Sequence, residues 1–292
     1  MPQSHLKALA DAGLFAAGGH REVYEILAGA CGASFFVWVQ HHAPVRLLAA
    51  SANASTRDRW LPRLLSGDAL GGVAFAHLRR PGSPPVQARR IAGGYVLEGE
   101  APWVTSWGLA DVFAVAARCD ERVVFVTVPA DAPGLRPSPP LRLAAMQATA
   151  TVRLGFDGFT ARDADVIVDL PFAQWQEDDR AATAKPNPAA FGVAATCTRL
   201  LAELDPAAAT ALEAERLDCR RRSYGGEEGQ VALRAWSLEL AVRAALALVA
   251  ATGGRAMERS HPAQRLLREA AFYAIQAQTR PLRAATLDRL TR

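Results

Sequence analysis

The stretch APWVTSWG, residues 101–108, sets two tryptophans, a threonine, a serine and a glycine in a row behind a proline. Large rings beside small hydrogen-bonding groups suit a flat, amphipathic ligand better than they suit plain packing. Trp103, Thr105 and Trp107 are the residues that raise the question of such a ligand. Pro102 fixes its own φ and so stiffens the approach to them. Trp103 and Trp107 could equally be core or edge aromatics of a β unit.

Other constellations are weaker. His41 and His42 are adjacent, and adjacent helical residues do not converge on one metal ion. With His77 distant in sequence, no metal site is expected. The patterns GxSxG, Walker A and GxGxxG are all absent. The four cysteines, Cys31, Cys119, Cys197 and Cys219, lack metal-like spacing and read as reduced thiols, which predicts a cytoplasmic protein.

These residues must be held by something substantial. The chain has 292 residues, enough for two packed units or one with added layers, and its 50% hydrophobic content is that of a globular protein. Its net charge of +4 comes almost wholly from arginine, since lysine occurs only at Lys7 and Lys185. No basic run with interleaved aromatics extends beyond CRRRSYGG, so nucleic acid is not expected as a partner. Arg220, Arg221 and Arg222 in that run could meet phosphates or mark a charged helix end. The start of the chain is amphipathic, not a secretory signal. The apolar run LELAVRAALALVAATGG is interrupted by Arg243 and reads as a buried helix too short to span a bilayer.

Residues 1–70 read as a helical domain, with REVYEILAGACGASFFVWVQHHAPVRLLAASA as one long helical region. Ser55 or Thr56 would start a short helix that Gly67 ends. Residues 71–172 break into short β-branched and aromatic runs separated by turns, as in a β-barrel or sandwich domain. WQEDDRAATAKPNP reads as a linker, and residues 186–292 as a bundle of about four helices.

That order, with these motifs, resembles the acyl-CoA dehydrogenase family of flavoproteins. GGYVLEGEAPWVTSWGLADVFAVAA, residues 93–117, resembles the family hairpin that carries a Trp-Ile-Thr run. MQATATVRLGFDGFTARDADVI and GGRAMERSHPAQRLLREAAFYAI resemble the stretches before and within its last domain. The resemblance implies an α+β fold: an N-terminal helical domain, a middle antiparallel β-barrel domain and a C-terminal helical bundle. It also implies FAD against Trp103, Val104 and Thr105, with Gly253 and Gly254 at the flavin's ADP half. The substrate would be an acyl-CoA or acyl-carrier thioester. The assembly would be a homodimer, or a hetero-oligomer with a homologous subunit.

The departures are specific. The family's threonine on the preceding strand becomes His77, a cofactor-binding candidate, while its serine is kept as Ser83, a substrate-binding candidate. Ala250 and Ala256 replace a glutamine and a glycine of the ADP site. Ala277 stands where the family's base, a glutamate that removes the α-proton, would stand. Glu269 and Glu258 are the remaining candidate bases, although a lone helical glutamate is usually solvated or ion-paired. Three functions are consistent with this pattern: an FAD-dependent acyl thioester oxidoreductase, a base-lacking partner subunit of a heteromeric complex, and a flavin monooxygenase-like relative.

Overall fold

A computed structural model of the chain describes residues 2–16, 20–80, 82 and 86–291. Its contacts divide the chain into two compact units. The first comprises Met1–Gly18, Phe36–Leu143 and Gln147–Asp178; the second comprises Gly19–Phe35, Ala144–Met146 and Asp179–Arg292.

The chain opens with helices α1 (Pro2–Asp11), α2 (Arg21–Ala30), α3 (Gly32–Ala49) and α4 (Ala54–Ser66). The single helical region expected over residues 21–52 is two helices. Cys31 is extended (φ −157°, ψ 103°), and it ends α2 before α3 begins. Asn53 caps α4, accepting the Ser55 N–H, and Gly67 ends it at φ 83°.

Strands β1 (Gly71–Ala74), β2 (Val86–Ile91), β3 (Gly94–Val104) and β4 (Val112–Cys119) follow, then β5 (Arg122–Pro129), β6 (Leu135–Pro137), β7 (Val152–Arg162) and β8 (Val166–Pro171). They form one eight-stranded sheet in the order β6-β7-β3-β2-β4-β5-β8, with β1 paired to β4. The pairing is antiparallel except where β4 meets β1 and β2. Residues 112–117 of β4 and 123–128 of β5 are buried without interruption. Their near-continuous Val, Phe and Ala content is that of strands covered on both faces. The core of this unit gathers Leu48, Trp60, Leu64, Val112, Phe125 and Ile167.

β8 pairs only with β5, and side chains cover part of its outer edge. Ser51 Oγ donates to the Ile167 carbonyl (2.6 Å), and Asn53 Nδ2 donates to those of Val166 and Asp163 (2.8 Å each). Bonds of this kind deny the edge to foreign strands.

The remaining helices are α5 (Phe172–Ala184), α6 (Pro188–Leu201), α7 (Pro206–Tyr224), α8 (Gln230–Thr252), α9 (Pro262–Ile275) and α10 (Arg280–Leu290). The expected linker is mostly α5. Its Ala, Gln and Glu favour helix, and nothing breaks it before Pro186, which disfavours helix in the residue ahead of it. Five helices, not four, follow Pro186. Helix α8 also corrects the expectation drawn from its apolar run. The helix extends beyond that run and is long and apolar enough to cross a bilayer by length and composition. It is packed against α6, α7, α9 and α10 in the second unit, and Arg234, Leu238, Ala241 and Leu248 are buried. In that unit α2 and α6 touch backbone to backbone: a Cβ on Gly192 would collide with the Glu25 carbonyl, and one on Gly29 with the Thr196 hydroxyl.

Three histidines of the first unit are buried. His41 Nδ1 accepts the Gly71 N–H at 3.0 Å, and its ring lies 4.5 Å from that of Phe15. His42 meets Trp38 edge-on at 4.5 Å. Burial pushes His41 down to about 3, with neighbouring His42 adding to the effect. Burial likewise pushes His42 and His77 down to about 4, beside Arg46 and Arg80 respectively. Folded-state values below the unfolded value of 6.5 mean that the unfolded chain binds more protons. Stability is therefore full above pH 6.5 and is lost as pH falls toward the folded values. Between pH 6.5 and 5, where most carboxylates stay ionised, the loss should be roughly 2 kcal/mol per histidine. Urea denaturation across that window would measure it, and a flat profile would contradict it.

Candidate functional site

The end of β3 is built around a proline that cannot donate to the sheet. β3 pairs with β7 at Ala101↔Leu154 and next at Val104↔Val152, with a register shift between. Pro102 and Trp103 therefore oppose the single residue Arg153, which is a β-bulge. The bulge turns Trp103 outward, leaving it 47% exposed between buried Ala101 and Val104.

Beyond the bulge the chain reverses. Ser106 adopts φ 71°, a left-handed conformation costly for a residue with a side chain, and Gly108 follows at φ 74°. The Ser106 N–H donates to the Thr149 carbonyl (2.8 Å), and the Trp107 N–H to that of Ala150 (3.3 Å). The partner loop is strained as well, with Ala150 at φ 48°. Strain in two apposed loops is typical of ligand-holding segments. The hydroxyls of Thr105, Thr151 and Thr149 form a buried chain, at 3.4 Å and 2.9 Å. Ser106 Oγ is buried with no partner among the described residues.

Trp107 differs from Trp103. Its ring stacks on Phe113 at 5.8 Å and 12°, so it packs the loop against the sheet. The strand end thus combines one free indole face, a hydroxyl chain and an unpaired hydroxyl. The sequence singled out Trp103, Val104 and Thr105; the structure sets Ser106, Thr149 and Thr151 beside them, and the alternating threonines of ATAT were the available signal for the last two.

His77 lies in a short 3-10 turn, Ala76–Arg79, and is 1% exposed. Its Nε2 donates to the Ala116 carbonyl (2.9 Å), which leaves Nδ1 a bare acceptor with no partner among the described residues. Ser83 lies outside the described residues. A separate groove of about 1040 Å³ runs past Tyr95, Cys119 and Ile167. Its arginines are already paired, Arg90 with Asp163 and Arg122 with Asp169, so they offer a ligand no unmatched charge.

In the second unit, Gly253 has φ 72° and ψ −152°, a conformation essentially reserved for glycine. Open space surrounds the Cβ positions of Gly253 and Gly254, so another group could approach this backbone. Glu258 is exposed just past this turn. Glu269 is not solvated. It is 6% exposed, its Oε1 accepts the Gly32 N–H (3.2 Å) and its Oε2 binds Arg265 Nη1 (2.7 Å). Burial raises its pKa against the opposing pull of Arg265. Oε1 fastens α9 to the first turn of α3 and Oε2 is held by Arg265 on α9 itself, so both oxygens are engaged. Ala277, at φ 53°, occupies the turn between α9 and α10. The arginines of RRR are all paired within the unit: Arg220 with Glu25 and Glu22, Arg221 with Asp218, Arg222 with Glu227. Among the described residues, no group of three His, Cys, Asp or Glu side chains could hold a metal ion.

No protein-family model matches the chain. In sequence it is similar to the benzylmalonyl-CoA dehydrogenase of Aromatoleum aromaticum, 27% identical over 139 residues, covering 46% of this chain and 37% of that protein. It is also similar to the mitochondrial 2-methylacyl-CoA dehydrogenase of Solanum tuberosum, 26% identical over 138 residues, covering 44% and 33%. The matched segments span only about a third of the length of these relatives. In structure it is similar to a glutaryl-CoA dehydrogenase of Mycobacterium smegmatis in complex with FADH2, with a TM-score of 0.79 and 18% identity. That likeness covers 100% of this chain and 87% of the other.

Glu269→Ala should cost about 2–4 kcal/mol of stability, because it strips the Gly32 N–H and Arg265 of their shared partner. Gly32→Ala should also destabilise, since its Cβ would come 2.8 Å from Glu269 Cδ and Met146 Cε. Chemical denaturation of both variants would measure this. A Glu269→Ala protein as stable as the parent would release Glu269 from the structural role.

Proposed function

Starting from the fold of acyl-CoA dehydrogenases, which this chain has, we propose that it is a flavoprotein of acyl thioester chemistry holding FAD against the end of β3. The observation that carries the flavin part is Trp103. An indole turned outward by a bulge, beside buried hydroxyls, is a stacking face for a planar ring. Val104 fixes the strand from the core side, and Thr105, buried in the threonine chain, would be the hydroxyl nearest the ring's polar edge. Ser106 Oγ supplies one further unmatched group at that loop. His77 Nδ1 is a further unmatched, buried acceptor in the first unit; taken by itself, the second unit has open backbone at Gly253 and Gly254 that would let a phosphate-bearing chain lie close. These features fit a flavin, which when bound supplies two-electron oxidation of a CH–CH group. The substrate would be an acyl-CoA or acyl-carrier thioester.

A second reading has its own support. Removing the α-proton of a thioester needs a positioned carboxylate. Ala277 stands at the position that the family resemblance assigns to that base, and Glu269 has both oxygens committed. A chain built this way would act as the base-lacking subunit beside a catalytic homologue, lending its flavin wall to the complex.

Purified protein should carry a flavin absorption spectrum, or gain one on co-expression with a homologous subunit. The first outcome favours an autonomous oxidoreductase and the second the partner reading. Trp103→Ala should weaken FAD binding about tenfold, equivalent to about 1.4 kcal/mol, and Thr105→Ala should weaken it less. Equilibrium titration with FAD reads both, and unchanged affinity in both variants would remove the hairpin assignment. If the missing base limits turnover, Ala277→Glu should raise acyl-CoA-dependent reduction of an artificial electron acceptor.

A further inference from the structure

Where β3 ends, three threonine hydroxyls run from one loop to the other. Thr105 Oγ1 lies 3.4 Å from Thr151 Oγ1, which lies 2.9 Å from Thr149 Oγ1. Thr105 follows Val104 and Thr151 precedes Val152, so this pair continues the β3–β7 register beyond its last ladder position. All three side chains are buried, and so are shut off from exchange with bulk water.

The shape of the loops does not depend on these hydroxyls. Main-chain bonds hold it: Ser106 N–H to the Thr149 carbonyl (2.8 Å), Trp107 N–H to that of Ala150 (3.3 Å) and Leu141 N–H to that of Thr151 (2.8 Å). What the hydroxyls add is direction. Each carries one hydrogen and two lone pairs, and in both links either oxygen can be the donor. The chain therefore has two ordered states. In one, Thr149 donates to Thr151 and Thr151 to Thr105, which leaves Thr105 a hydrogen to give away. In the other, Thr105 donates to Thr151 and Thr151 to Thr149, so that Thr105 offers a partner only lone pairs.

A flavin presents both kinds of partner. The oxidised ring has bare acceptor nitrogens, and the two-electron reduced ring carries an N–H where one of them stood. A group that can only donate, such as a lysine, would suit one form and oppose the other. Resting on the reading that FAD lies against this strand end, we propose that Thr151 is a positioning residue for both forms. With Thr149 it lets the hydroxyl chain reverse, so that Thr105 donates to the oxidised ring and accepts from the reduced one.

The two states lean on Thr151 unequally. When Thr105 donates to the ring, loss of the Thr151 hydroxyl leaves only a lone pair unfilled, which buried oxygens tolerate. When Thr105 accepts from the ring, its own hydrogen must go to Thr151, and a buried donor without an acceptor is costlier. The reduced form therefore depends on Thr151 more than the oxidised form does.

The test is equilibrium titration of the full-length protein with oxidised FAD and, without air, with dithionite-reduced FAD. Thr151→Val keeps the shape of the side chain and lacks its hydroxyl. It should weaken reduced FAD about fivefold more than oxidised FAD, and the midpoint potential of the bound flavin should fall accordingly. Thr151→Ser, which restores the hydroxyl, should return the affinity ratio to that of the parent. Thr149→Val acts one bond further away and should shift the ratio in the same direction by less; it carries the test if Thr151→Val does not fold. A parent that binds both forms, with a ratio that the valine variants leave unchanged, would overturn the relay alone. A parent that binds neither form, by itself or co-expressed with a homologous subunit, would overturn the flavin reading and the relay together.

Discussion

A proline in a strand removes one backbone donor, and the candidate site follows from that loss. Pro102 has no N–H to give β7, so the ladder skips two residues and resumes at Val104. The skipped residue with a large side chain is Trp103. Because the bulge breaks the alternation of faces, the indole points outward while Ala101 and Val104 stay in the core. The strain that follows, at Ser106 and Ala150, is held by backbone hydrogen bonds between the two loops. A regular strand could not present an indole, a hydroxyl chain and a strained turn within five residues.

The second unit solves a different problem, that of joining helices which break and restart. The α2–α3 break leaves α3's first N–H groups needing acceptors. Glu269 meets one of them with a carboxylate, and Arg265 balances the charge. The same device recurs at the other end of α9, where buried Arg234 donates to the carbonyls of Thr183, Lys185 and Gln276. Each charge is spent on backbone ends, which is why a helix as apolar as α8 can carry an arginine into the bundle. A carboxylate used in this way is fixed in place and loses the freedom that proton abstraction demands.

Much of this organisation is legible in the residues themselves. Helical periodicity, β-branched runs and turn residues give the order of helices, sheet and helices. The motifs from 93 to 117 and from 253 to 275 point to the acyl-CoA dehydrogenase fold. Local signals failed where a break or a continuation depends on neighbours. Cys31 carries no breaker residue, yet it is extended between two helices. The segment 173–184 is polar, yet it continues as helix because no residue in it opposes one.

Some properties follow from covalent chemistry before any folding. Pro102 lacks a donor, Gly253 tolerates a forbidden φ, and Ala277 has no carboxylate, wherever the chain places them. Tertiary structure alone decided exposure and partnership. Trp103 and Trp107 are the same residue four positions apart, but one faces outward and the other stacks on Phe113. Glu258 and Glu269 are likewise chemically identical, but only Glu269 is buried against a helix start and an arginine. Burial and hydrogen bonding depend on segments distant in the chain, 237 residues apart for Gly32 and Glu269, and no local pattern encodes that distance.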